Sequence, residues 1–155
     1  FLGIIFLSFS FYSSFYIREN SELFLFLFII LICIFTDVGG YVFGNIFKGP
    51  KLIKISPKKT YAGVLGGFLF SLIAGLSFMK IFGTNYLEIF NINIFFSILI
   101  ISLISQIGDL IISFFKRKAK LKDTGNILPG HGGLLDRVDG LIFVMPLVYL
   151  NLFII

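Results

Sequence analysis

Apolar residues run along this chain in long blocks, broken by short polar stretches. Five blocks are readable, each close to the roughly 20 residues that a membrane-crossing helix requires. They cover about Phe1–Ile17, Leu23–Phe43, Tyr61–Phe82, Ile92–Phe115 and Val138–Ile155. None alternates in the strand manner over its length, and each is too long for a buried helix of a soluble domain. Helices are therefore expected. The second block is diluted at its end by "TDVGGYVFG", with one charge and three glycines. The expected fold is all-α: a polytopic transmembrane helical bundle of about five spans, with residues 1–155 as a single transmembrane domain.

Composition points the same way. Of 155 residues, 57% are hydrophobic and 14% charged, and the mean hydropathy is +1.02, far from the polar surface of a soluble domain of this length. The first residue is Phe, which suggests that an N-terminal portion is missing or removed. The single cysteine, Cys33, lies in an apolar block and can form neither an internal disulfide nor a zinc cluster.

The net charge of +5 matters less than its placement, since eleven of thirteen Lys and Arg fall within 48–59 and 116–137. The connections "RENSE" and "GTNYLEIFN" are poor in bases, whereas "KGPKLIKISPKKT" and "KRKAKLKD" are rich in them. In a five-helix serpentine the two poor connections share one side and the two rich ones the other. The positive-inside rule then places loops 45–60 and 116–137 in the cytoplasm, with Ile155 outside. The first rich loop has Pro and Gly punctuation and is expected to be partly structured. The second is long for a plain connection, as functional loops often are.

Several polar residues sit where apolar ones would be cheaper. Asp109 lies about six residues, or roughly 9 Å at 1.5 Å per residue, from the cytoplasmic end of the fourth block. Asp37 lies at similar depth in the second, which runs in the same direction. An ionised carboxylate there costs at least a few kcal/mol unless paired or hydrated. A structural ion pair is the plain alternative. Ser102, Gln106, Asp109 and Ser113 step by four, three and four, so they share one helical face that must point into the bundle. Lys116 and Arg117 extend that stripe into the basic loop. Asp136 and Asp139 are three apart at the start of the fifth helix, where capping of free amides is the plain account. Joined antiparallel, the fourth and fifth helices would bring these two and Asp109 to one pocket, where a hard divalent cation would relieve their repulsion.

Lys116, Arg117, Lys122, Arg137, Lys58 and Lys59 surround this acidic centre, an arrangement suited to phosphate-rich ligands. Topology signalling and attraction to anionic lipid would explain the bases but not the buried acids. "PGHGG" would let backbone amides approach an anion. It lacks P-loop spacing. His131, the only histidine, is expected to serve as a scaffold or phosphate donor rather than a metal ligand.

The stretch "SFFKRKAKLKDTGNILPGHGGLLDRVDG", Ser113–Gly140, closely resembles the signature of the phosphatidate cytidylyltransferases, also called CDP-diacylglycerol synthases. Its fixed positions fall on Ser113, Lys116, Arg117, Lys122, Asp123, Pro129, His131, Gly132, Gly133, Asp136, Arg137 and Asp139. "QIGDL", "DVGGYVFG" and "ISPKKTYAG" resemble further family segments in the same order. Two features depart from the pattern: Ala62 stands where members often carry Glu or Gln, and members are longer at the N-terminus.

The resemblance implies reaction of CTP with phosphatidic acid to give CDP-diacylglycerol and pyrophosphate in phospholipid synthesis. It implies dependence on Mg²⁺, with a second cation such as K⁺. Asp109, Asp136 and Asp139 would be the metal carboxylates. Lys116, Arg117, Lys122 and Arg137 would contact phosphates, and Ser56, Lys58, Lys59 and Thr60 would bind substrate. Ser113, Asp123, His131, Gly132, Gly133 and Asp37 complete the expected substrate site. The expected setting is a bacterial-type inner membrane with the site facing the cytoplasm, homodimers, and no nucleic-acid partner.

This chemistry needs no strong base, because the lipid phosphate is already anionic. Positioning and charge neutralisation must supply most of the rate. Two rivals remain at this point. A CTP-dependent polyprenol or lipid-alcohol kinase would release CDP instead of pyrophosphate. A cation-coupled transporter would place its ligands near the midplane rather than towards one face.

Overall fold

In the computed structural model, residues 1–21, 23–53, 56–83, 93–121, 124–125, 133 and 135–153 are described. All five expected helices are present: α1 Leu2–Asn20, α2 Leu23–Phe47, α3 Tyr61–Phe82, α4 Ile94–Lys118 and α5 Leu135–Phe153. Helices α2, α3 and α4 are long and apolar enough to cross a membrane, and α5 contains the shorter apolar stretch Val138–Leu152. The protein is an all-α membrane bundle. Its outward faces carry exposed Ile34, Leu65, Leu69, Ile73 and Leu103, as lipid contact requires.

One element departs from the expected pattern. The first basic loop folds into an antiparallel hairpin, β1 Lys51–Ile53 and β2 Ser56–Thr60, with Lys51 opposite Thr60 and Ile53 opposite Ser56. These strands are too short for periodicity to reveal them. The Tyr61 amide closes the base of the hairpin on the Pro50 carbonyl at 3.2 Å. Thr60 ends β2 and also caps α3, its hydroxyl accepting from the Gly63 amide at 3.1 Å. Strand register and helix cap together fix the backbone beside Lys59.

The α2–α3 pair is built on glycine. A Cβ at Gly39 would collide with the Gly66 carbonyl oxygen, and one at Gly66 would collide with the Phe43 side chain. A Cβ at Gly63 would lie 2.8 Å from the Gly40 carbonyl. Backbone therefore rests on backbone, the close approach that small residues permit between membrane helices. Helices α4 and α5 meet in the same way, with Gly140 against Ser105 and Gly108 against Phe143. Between these pairs lies an apolar core containing Phe28, Ile29, Ile32, Ile98, Ile101, Val144 and Val148. Cys33 is buried within it.

Helix α1 packs on α5 through Phe6 and Phe143, with ring centroids 5.0 Å apart, and through Phe9, Tyr12 and Tyr16 around Tyr149. A hydrogen bond explains why α5 needs this neighbour. Pro146 lies inside α5 and has no N–H to give to the Ile142 carbonyl one turn earlier. The Ser10 hydroxyl supplies the missing donor at 2.7 Å across the helix interface.

Ser10→Ala should strand that carbonyl and cost about 1–3 kcal/mol, read as a lowered midpoint in denaturant titration of the purified protein. Gly66→Val should be worse, because α2 and α3 can relieve the clash only by separating.

Candidate active site

The polar stripe of α4 turns inward, as its spacing requires. Ser102 is buried, with Thr36 Oγ1 of α2 at 2.9 Å from its hydroxyl. The Gln106 amide donates to the same oxygen at 3.4 Å. Ser113 donates to Asp109 Oδ1 at 3.4 Å. Hydroxyls and an amide thus line the approach to a carboxylate set inside an apolar bundle.

Asp109 has a cation of its own. Its Oδ2 forms an ion pair with the Lys59 ammonium from β2, with about a quarter of each side chain exposed. Asp139, on the first turns of α5, is only 7% exposed. One of its oxygens accepts from the Gly140 amide at 2.9 Å. Asp139 also comes within hydrogen-bonding reach of Asp109 and feels the charge of Asp37. Asp37 in turn lies in the field of both Asp109 and Lys59. Carboxylates from α2, α4 and α5 thus lie in one another's fields, with the Lys59 ammonium paired to Asp109 and its charge felt by Asp37.

Asp136 belongs to a second cluster. Its Oδ1 accepts from the Lys116 ammonium at 2.9 Å, and its Oδ2 from the amides of Thr124 at 2.9 Å and Gly133 at 3.0 Å. A Cβ at Gly133 would collide with Thr124 Oγ1, so only glycine allows the two ends of this loop to close on the carboxylate. Burial acts to raise the Asp136 carboxyl, but the Lys116 hydrogen bond and the two amides outweigh it and hold it down at about 2. Asp136 is thus a knot tying the end of α4, Thr124 and Gly133 to the start of α5.

Among the described residues, no three carboxylate, imidazole or thiolate groups are arranged so that they could hold a metal ion by themselves. Asp109 and Asp139 offer a facing pair of hard oxygen donors. Mg²⁺ is commonly bound by one or two carboxylates with substrate phosphates completing its shell. A charge-bearing stand-in is already present, since the Lys59 ammonium sits on Asp109. The donor set therefore fits a hard divalent cation.

Beside this cluster, α2, α3, α4 and the hairpin enclose a cavity of about 380 Å³. Its wall is mostly apolar, including Leu52, Val64, Leu103 and Leu110, while Lys59, Asp37 and Asp109 supply charge. Tyr41, Leu103 and Ile107 at the wall are exposed on the outer surface of the bundle.

The remaining expected site residues fall as follows. Thr60 lines the cavity and spends its hydroxyl on the α3 cap. Arg117 is exposed and donates to the Leu121 carbonyl at 3.4 Å. Lys122, Asp123, His131 and Gly132 lie outside the described residues, as do the side chains of Ser56, Lys58 and Arg137. The structure brings Asp37, Asp109, Asp139 and Lys59 together, with Ser113 behind Asp109. It joins Asp136 to Lys116 separately. Thr36 and Tyr41 are cavity residues that the sequence did not single out; Tyr41 stands four positions after Asp37, one helical turn away on the same face.

Because the Asp136 carboxyl is held below its ordinary 3.8, its stabilising contribution is complete above about pH 4 and is lost as pH falls through about 2. Asp136→Asn should forfeit roughly 2 kcal/mol at neutral pH and flatten stability against pH in that acid window, as measured by denaturant titration.

Comparison with known proteins bears on this geometry. A family described as the cytidylyltransferase family matches residues 1–155. The phosphatidate cytidylyltransferase of Staphylococcus haemolyticus is 41% identical over 138 residues, covering 86% of this chain and 51% of that protein. Its counterpart in Staphylococcus aureus strain COL is 43% identical over the same coverage. The chain spans about half the length of the curated relatives it matches. With a match over its whole length, this chain belongs to the cytidylyltransferase family.

Proposed function

We propose that this protein is a phosphatidate cytidylyltransferase, which joins CTP and phosphatidic acid into CDP-diacylglycerol and releases pyrophosphate. The observation that carries the proposal is the cavity beside the carboxylates. It has an apolar wall and an exposed outer face suited to a lipid, and a lysine–aspartate head suited to phosphate. The relatives bearing that enzyme name support the same substrate pair.

In this reaction a phosphate oxygen of the lipid forms a bond to the α-phosphorus of CTP, and the bond from that phosphorus to the pyrophosphate oxygen breaks. The nucleophile is already ionised, so none of the aspartates needs to remove a proton. The protein's task is to hold two anions in line and to offset their repulsion. Lys59 lies where a phosphate oxygen in the cavity could be met. Lys116 and Arg117, at the end of α4, would meet the nucleotide phosphates that arrive from outside the bundle. Asp109 and Asp139 would hold Mg²⁺, which when bound supplies positive charge to the phosphate oxygens. Asp136 would join them only by exchanging Lys116 for the metal. Ser113 keeps the Asp109 carboxylate oriented through its 3.4 Å contact.

Each basic loop pairs with an aspartate, Lys59 with Asp109 and Lys116 with Asp136. By the positive-inside rule these loops face the cytoplasm, where CTP is found, and a bacterial inner membrane is the proposed setting.

The purified protein, given CTP labelled in its cytidine, phosphatidic acid and Mg²⁺, should yield a lipid-soluble labelled product and one equivalent of pyrophosphate. Asp109→Asn and Asp139→Asn should each lower turnover by at least about 100-fold. Release of CDP with no label in the lipid phase would identify a kinase and overturn the proposal.

A further inference from the structure

Among the described side chains, Lys59 is the ammonium that pairs with Asp109, and its charge also reaches Asp37. Lys116 is taken up by Asp136 and Arg117 by the Leu121 carbonyl. On Asp109, Ser113 approaches Oδ1 and Lys59 covers Oδ2. Any cation that uses this carboxylate must therefore contend with the lysine. An ammonium and a divalent ion on the same carboxylate repel at close range in a setting that screens poorly.

The anchoring of Lys59 suits an exchange. Its backbone is fixed at the next residue, by the pairing of Thr60 with Lys51 and by the Thr60 cap on α3. Its side chain borders the cavity and is a quarter exposed. The root is rigid, and the four-carbon stem has open space beside it. The displaced ammonium would remain within the cavity, where phosphate is the ligand class that matches its charge.

We propose that Lys59 is a positioning residue that holds Asp109 until a divalent cation takes that carboxylate, and then turns into the cavity to take a phosphate oxygen. The inference rests on the cation-dependent reading of the site and adds an order to it, with the cation before the phosphate. One positive group leaves the carboxylate as another arrives, so the buried cluster does not pass through a state with uncompensated charge. The hairpin is the element that reports the exchange, because among the described side chains the ion pair ties it to α4.

Mn²⁺ binding to the detergent-purified protein, followed by electron paramagnetic resonance without nucleotide or lipid, tests this directly. Lys59→Gln should bind Mn²⁺ at least tenfold more tightly than the parent, whereas Lys59→Arg, which keeps the competing charge, should stay near it. In the parent, Mn²⁺ should also speed amide deuterium exchange in the hairpin, and Lys59→Gln should lose that response. Equal or weaker Mn²⁺ binding by a folded Lys59→Gln overturns the exchange alone. Failure of every form to bind Mn²⁺ overturns the cation reading of the site together with it. Should Lys59→Gln not fold, the parent decides: hairpin exchange unchanged by Mn²⁺ overturns the proposal.

Discussion

A carboxylate inside an apolar bundle must be answered by positive charge, and this constraint organises the molecule. Asp109 sits on a helix whose neighbours are mostly Ile, Leu and Phe, so its burial would be costly without the ammonium of Lys59. That ammonium comes from a hairpin, and the hairpin is held by the end of α2 and the first turn of α3. The helices must therefore meet closely enough for a lysine from one connection to reach an aspartate on another. Glycine at the α2–α3 contact and at the α4–α5 contact makes that closeness possible. Packing of the spans and charge balance of the site are one problem solved by the same residues.

The two lysine–aspartate pairs have different characters. Lys59 and Asp109 border a cavity and are partly open. Lys116 and Asp136 are more enclosed, with side-chain exposures of 15% and 11%, and two backbone amides reinforce them. The first pair lines the cavity. The second joins Thr124, Gly133 and the end of α4 to the helix that carries Asp139.

Much of this could be read in the residues. The long apolar blocks marked the helices because nothing else explains twenty such residues without alternation. The four-three-four stepping of Ser102, Gln106, Asp109 and Ser113 marked an inward face because polar groups cannot face acyl chains cheaply. The depth of Asp37 and the shared direction of its helix hinted that it would stand level with Asp109. The hairpin was hidden, since three to five residues carry too little periodicity to display a strand. The separation of Asp136 from Asp139 was hidden for another reason. Helical spacing puts both on one side of α5, but their partners lie on loops and helices distant in sequence, and only tertiary packing sends one to Lys116 and the other to Asp109.

The bond between Ser10 and the Ile142 carbonyl has a consequence for how this sequence can change. Proline at 146 opens a gap in the ladder of α5, and a hydroxyl on another helix fills it, so the two positions form one unit divided between the ends of the chain. An amide restored at 146 would release position 10 from its duty and let an apolar residue stand there. While the proline stays, the first helix is the missing rung of the last.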